Sequence, residues 1–365
     1  MSTASEVIDK TKIQELLDSV RSQFITPYKD ENPLTLREIK STTDLSKSNS
    51  TPLEELSKLA KMIKAHTTKV GIVCHPDKFK DEANDVAIFK ELTALVNVVF
   101  FLFSLLPLFY SNKKDQYAEF FLDQLSINIM RLLNGISQLT DDLDAMIADK
   151  FDEVTDSENR LVSIGMIWAS CDALNVLASK GNAGLLCDNI RGSCQLVDDI
   201  QIDIEEWLED PQLGNGMLLE ESFDSEEDEE FGNEVDEEET ASINRIKKFL
   251  EIWQVNIKMI KLLLSSFTKS ISQATNKEQN NYKGSSLDLL QALHSKVVGL
   301  LDEIVADTFI ADSSFQHDDS VEDIELLNKS LKEMVKIIKD MNKSDPKNSK
   351  WIEVWETKYS EKQSK

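Results

Sequence analysis

The sequence predicts an all-α protein built of antiparallel helical bundles, with two helical domains joined by an acidic disordered linker. Three observations carry this. Apolar residues make up 41% of the 365 positions, and the chain has only 11 Gly and 7 Pro, a composition that suits helices and leaves few turns for a β-sandwich. Apolar residues recur at alternating spacings of three and four over long stretches, and each such stripe must be laid against a neighbouring helix. Charge is unevenly spread: the net charge is −26, yet Gly192 to Asn244 alone hold 20 Asp or Glu and no Lys or Arg.

Residues 1–52 hold one short amphipathic helix, with Ile13, Leu16, Leu17, Val20 and Phe24 at helical spacing, ended by Pro27. The Ser/Thr/Asn-rich stretch from there to Pro52 reads as a mobile connection. A second helix starts at TPLEELSKLAKMIKAH, where Thr51 can act as N-cap, Pro52 takes the first helical position and Glu54 completes a capping box. His75-Pro76-Asp77 follows where a helix connection is needed, and Asp81 can cap the next helix.

That next helix contains LTALVNVVFFLFSLLPLFY, residues 92–110, without a charged residue for nineteen positions. Its length fits a transmembrane span. Asn97, Ser104 and Pro107 inside the run argue instead for a central bundle helix buried all round. The segment from Phe121 to Met146 then carries an unbroken seam, Leu122, Leu125, Ile129, Leu132, Ile136, Leu139, Leu143 and Met146, which needs a partner along its whole length. Stripes through Ile164, Ile167, Cys171 and Leu174, and through Cys187, Ile190, Cys194 and Val197, complete the first bundle.

Beyond the acidic tract a second long seam runs from Ile243 through Ile246, Leu250, Trp253, Ile257, Ile260, Leu264 and Phe267 to Ile271. Leu290, Leu293, Val297, Leu300 and Ile304 make a shorter one, and Ile324, Leu327, Leu331, Met334, Ile338 and Met341 a third. Long seams joined by short polar loops are the sequence form of antiparallel bundles. The organisation expected is therefore an N-terminal helix and flexible segment over 1–52, an N-terminal bundle over 53–209, a disordered linker over 210–240, a C-terminal bundle of three helices over 241–343, and a Lys-rich tail over 344–365. Trp351 and Trp355 in that tail are spaced to form a short docking helix, against the alternative of a frayed end.

Chemical sites are scarce. Cys171, Cys187 and Cys194 fall on apolar stripes and are accounted for as core residues, and their spacings fit no zinc pattern. His66, His75, His294 and His317 make no metal motif. No GxSxG, phosphate loop or nucleophile-base arrangement is present, so neither catalysis nor a cofactor or metal is expected. No stripe of clustered positive charge is evident, which argues against nucleic-acid binding. Cysteine usage without CxxC pairs, and an N-terminus without a basic and apolar leader pattern, point to the cytoplasm and nucleus.

Two features suggest partners. His75-Pro76-Asp77 is the tripeptide that J-domain co-chaperones present to their ATPase, which makes a co-chaperone one reading. The ten residues before it hold a single lysine and a mid-helix glycine, so the basic face such a domain needs is missing there. The acidic tract cannot bury enough apolar surface to fold; it reads either as a spacer or as an attractant for basic proteins such as histones. Ser225, followed by Glu226, Glu227 and Asp228, is a candidate for modification by an acidophilic kinase, making the chain a candidate phosphoprotein.

The run Gly165-Met166-Ile167-Trp168 followed by Cys171-Asp172, with Glu205-Glu206-Trp207-Leu208 later, resembles the cyclin-D-binding protein family, GCIP (Grap/cyclin-D-interacting protein). The preceding order is similar too: a helix containing AHTTKVGIV, an apolar helix, then the long seam. The resemblance spans residues 53–210. It implies an all-helical protein of two domains, without catalysis, that takes part in cell-cycle regulation. The partners it implies are regulatory proteins, D-type cyclins and helix-loop-helix factors. Gly165, Met166, Trp168, Cys171 and Asp172 read as a structural signature, with Trp168 and Cys171 on the buried stripe and Gly165 allowing close helix approach.

Overall fold

The computed structural model describes residues 8–363, except 31, 41, 46–48, 113, 151–160, 214–236, 276–281, 313 and 344; of residues 237 and 269–275 the backbone alone is described. Helices account for the regular structure, and no strand occurs among the described residues. The chain forms two compact units, Met1–Asn182 and Ala183–Lys365.

The first unit is built around α2 (Pro52–Val73), α4 (Asp85–Tyr110), α5 (Glu119–Ile147) and the first half of α6 (Val162–Glu209). The capping box at the start of α2 forms as read: Glu54 N donates to Thr51 Oγ1 at 3.3 Å and Thr51 N to Glu54 Oε2 at 2.8 Å. Helices α2 and α4 make an antiparallel hairpin whose tip is the short helix α3 (Pro76–Phe79). Tyr110 at the end of α4 bonds Ser126 of α5 at 2.8 Å, and every residue of the α5 seam from Leu122 to Met146 is buried. Each helix thus touches the next round a four-membered ring.

α1 (Lys10–Val20) is not a free appendage. Ile13, Leu17, Val20 and Phe24 are buried against α4 and α5, and Arg21 pairs with Asp141 and Asp144 of α5. The stretch expected to be mobile continues this packing. Leu36 is fully buried, Arg37 bonds Glu119 and Asp123 at 2.8 Å each, and Thr43 N donates to Ser104 O at 2.9 Å. Composition suggested mobility because it does not report these few apolar and cationic anchors.

α4 corrects a second expectation, for it is not buried all round: Phe100 and Phe101 are 51% and 55% exposed and stack edge-on at 6.2 Å. Among the described residues two helices, Glu82–Tyr110 and Val162–Glu209, are long and apolar enough to cross a membrane, and about half of each such stretch is buried within the protein.

The second unit contains the second half of α6, α7 (Glu237–Thr275), α8 (Gly284–Phe309), α9 (Val321–Met341) and α10 (Pro346–Gln363). The α7 seam is buried from Ile246 to Phe267, Ile243 is half-buried, and Ile271 lies outside the described side chains. The Lys-rich tail forms α10 and docks: Ile352, Trp355 and Tyr359 are buried, and Trp355 Nε1 donates to Met259 O of α7 at 2.8 Å. The division between units also differs from the expected boundary near residue 209. It falls within α6, where Gly181 adopts φ 58°, ψ −167°, a conformation that only glycine reaches without strain. The stripes on either side share one helical period, so the sequence hides the break.

Candidate functional site

The five signature residues separate on α6. Ile164, Ile167, Cys171 and Leu174 face the core, so Cys171 is buried as read. Trp168 is not: it is 37% exposed, and Met166, Val162 and Val176 are exposed with it. At 100° per residue Trp168 stands 60° from Cys171, at the margin of the buried stripe, and the packing leaves it outside. Gly165 has nothing within 4 Å of where a Cβ would stand, so it mediates no close approach. That role belongs to Gly135 of α5, where a Cβ would meet Ile167 Cγ1 at 2.9 Å and Ile167 N at 3.2 Å.

Asp172 faces out and accepts from Lys64 Nζ of α2, at 2.7 Å to each oxygen. Ser57 Oγ donates to Asn175 Oδ1 at 2.6 Å, and a Cβ on Gly71 would lie 3.4 Å from Ile164. These three contacts, at 57, 64 and 71 on α2 against 175, 172 and 164 on α6, fix an antiparallel pair. Trp168 therefore stands level with Thr67 and Thr68, beside the groove between the helices.

A row of lysines on the outward side of α2 was missed at the sequence level. From Leu56 to Cys74, α2 has Lys58, Lys61, Lys64 and Lys69 and no Asp or Glu. Its outward side carries Lys58, Lys61 and Lys69 together with exposed Met62 and Ile72; Lys58 pairs with Glu55 at 2.8 Å, and Lys69 stands 3.9 Å from Glu91 of α4. A window of ten residues before His75 catches only Lys69; the row appears once the helix is followed back to Pro52. The exposed apolar side chains of α2 and α6 suit contact with another macromolecule and supply no reactive group.

The remaining candidates are spread through the fold. In the tripeptide, Pro76 is buried, His75 half-buried and Asp77 exposed, with His75 Nδ1 3.6 Å from Asp77. Lys10 of α1 closes the same loop, donating to Phe79 O at 2.7 Å and Asp85 Oδ1 at 2.5 Å with its ammonium 3.8 Å from the Phe79 ring centroid. Burial pushes the Cys74 and Cys171 thiols up to about 12 and raises that of Cys194 also, so these sulfurs are protonated and poor nucleophiles at neutral pH. Cys187 is buried against Thr268 O at 3.6 Å. His294 is buried on α8 with Nδ1 3.0 Å from Ser193 Oγ, and desolvation lowers its pKa to about 4. Ser225 and residues 214–236 of the acidic tract lie outside the described residues.

Comparison with known proteins agrees with the motif. The family profile described as Grap2 and cyclin-D-interacting, N-terminal, matches residues 55–210. An uncharacterized protein of Saccharomyces cerevisiae is 33% identical over 363 residues, 99% of each chain. An uncharacterized protein of Schizosaccharomyces pombe is 24% identical over 312 residues, 84% of each. With the profile covering Gly165 to Asp172 and the budding-yeast relative aligning from end to end, the chain belongs to the Grap2 and cyclin-D-interacting family.

Proposed function

We propose that this protein is a non-enzymatic interaction protein of cell-cycle regulation in the cytoplasm and nucleus, and that it engages a regulatory protein partner through the outward face of α6. The family description names cyclin D as the partner of its members, which supports a cyclin-like or helix-loop-helix regulator here. One observation carries the assignment to this surface: four of the five signature residues, Gly165, Met166, Trp168 and Asp172, lie outside the core. A motif kept only for packing would turn its largest side chain inward, since an aromatic buries 150–250 Å².

Affinity capture from the native cell tests this with wild type and Trp168→Ala side by side. A reproducible set of regulatory proteins, lost in Trp168→Ala while its melting temperature holds, supports the reading. The same set recovered with both proteins refutes it for this surface.

The α2–α4 hairpin with His75-Pro76-Asp77 at its tip supports a second reading, a J-type co-chaperone. Stimulation of a partner chaperone's ATPase that disappears in His75→Gln would carry that reading over the first. Attraction of basic proteins such as histones by the acidic tract is the third, tested by salt-sensitive histone binding that deletion of residues 220–239 abolishes.

A further inference from the structure

We propose that Thr26 is a phosphorylation site for a proline-directed protein kinase, and that its phosphate loosens α1 from the groove between α4 and α5. The site is separate from the α6 face. It is the run Thr26-Pro27-Tyr28-Lys29. Kinases of this class take a hydroxyl followed directly by proline, whose fixed φ and missing N–H suit a cleft that offers that position no acceptor. Many of them also favour a cation three residues after the hydroxyl, where Lys29 stands. Of the seven prolines only Pro27 and Pro52 follow a Ser or Thr, so Thr51 is an internal comparison.

The structure separates the two. Thr51 is the N-cap of α2: its Oγ1 accepts from Glu54 N at 3.3 Å and donates to Glu54 Oε2 at 3.1 Å, and the residue three places on is that acid. Thr26 is exposed, and its hydroxyl has no hydrogen-bond partner among the described residues. Pro27 and Lys29 are exposed too, and Lys29 pairs with no acid among the described residues. The backbone here yields readily to the extended shape that a kinase cleft requires. The turn Thr26–Tyr28 is capped by Lys29 N to Thr26 O at 3.4 Å, beyond the usual hydrogen-bond range. In the transfer, Thr26 Oγ bonds to the γ-phosphorus of Mg-ATP, the bond from that phosphorus to the bridging oxygen breaks, ADP leaves, and the hydroxyl proton passes to the kinase's catalytic aspartate.

The position of Thr26 decides what the phosphate does. α1 continues through a π-helical turn, Arg21–Ile25, and Thr26 N donates to Arg21 O as the cap of that turn. Phosphate there brings a charge of about −1.5 to −2 to the carboxyl end of a helix, where the last carbonyls repel it. Arg21, one turn back, ties α1 to Asp141 and Asp144 of α5, and a phosphate competes with those carboxylates for its guanidinium. Both effects weaken the hold of α1. The apolar stripe and the Lys10–Asp85 pair stay in place, so the segment loosens without leaving the fold.

The test treats the full chain with a purified cyclin-dependent kinase and Mg-ATP, and maps phosphate by tandem mass spectrometry in wild type, Thr26→Ala, Thr51→Ala and Lys29→Glu. Phosphate is expected at Thr26, retained in Thr51→Ala, and incorporated about tenfold more slowly in Lys29→Glu. Hydrogen exchange then compares phosphorylated and untreated chains, with the amides of residues 13–24 expected to exchange about tenfold faster and those of α2 unchanged. No phosphate at Thr26 of the chain, or phosphate at Thr51 in preference to it, overturns the site; a peptide of residues 22–30 modified in the same reaction would show that the fold withholds it. Phosphate at Thr26 with unchanged exchange in residues 13–24 overturns the loosening.

Discussion

Gly135 and Gly165 should respond to the same substitution with opposite signs. At Gly135 a new methyl would stand 2.9 Å from Ile167 Cγ1, 3.2 Å from Ile167 N and 3.5 Å from Ile167 Cα. Ile167 is fully buried, so its side chain has nowhere to go, and the backbone atoms can yield only if α5 and α6 separate. Overpacking of this kind costs about 1–3 kcal/mol. The gain in helix propensity from Gly to Ala returns about 1 kcal/mol. Gly135→Ala is therefore expected to be destabilised by about 1 kcal/mol net, or roughly 2–4 °C in the melting of a unit this size. Gly165 is helical with nothing within 4 Å, so Gly165→Ala keeps the propensity gain alone and should be stabilised by about 0.5–1 kcal/mol. Urea titration of both variants beside wild type gives the comparison. A Gly135→Ala protein more stable than wild type, or a Gly165→Ala protein less stable, would refute the assignment of the close helix approach to Gly135.

Three further predictions follow from buried polar groups and backbone. His294 has a folded pKa lowered to about 4 by burial, so it contributes stability above its unfolded pKa of 6.5 and loses it as pH falls between those values, about 3 kcal/mol in total. His294→Gln should flatten the pH profile of urea stability over that window, and parallel profiles would count against it. Lys10→Met strands the buried Asp85 carboxylate and should cost about 3 kcal/mol, while Asp85→Asn added to it recovers part; denaturant midpoints of the two decide, and a neutral single variant would sink the account. Gly181→Ala has room for its methyl, with only Leu53 Cδ1 at 3.7 Å, so its expected loss of about 1–3 kcal/mol is backbone strain alone; unchanged calorimetric stability would show that the turn is not needed.

Most of the fold could be read from periodicity because each stripe obeys a local rule. The α5 seam is buried at all eight positions, since a helix amphipathic over that length has one way to hide its apolar side. What periodicity cannot report is contact between distant segments. The connection from Pro27 to Pro52 is polar in composition, yet Leu36, Arg37 and Thr43 fasten it to α4 and α5 through single contacts that leave no pattern. Trp351 and Trp355 did signal a docking helix, although only the second is buried; the first is half-buried.

The signature shows a subtler limit. Trp168 and Cys171 are three residues apart, a spacing that serves equally for two members of one stripe and for one member beside its margin. Only the position of α2 decides between them, and that position is fixed by Ser57, Lys64 and Gly71, more than ninety residues away in sequence. The lysine row was hidden for a related reason: Lys58, Lys61 and Lys69 are separated by apolar residues along the chain and converge only on the outer side of the helix. The charge of a groove is a property of two helices at once. In this unit one groove is lined with acid and filled by the chain's own basic segment, while the lysines of α2 meet Glu55 of their own helix, Glu91 of α4 and Asp172 of α6. The overall charge of −26 conceals this, because the net value sums over both faces and the acidic tract while a docking helix meets only one of them.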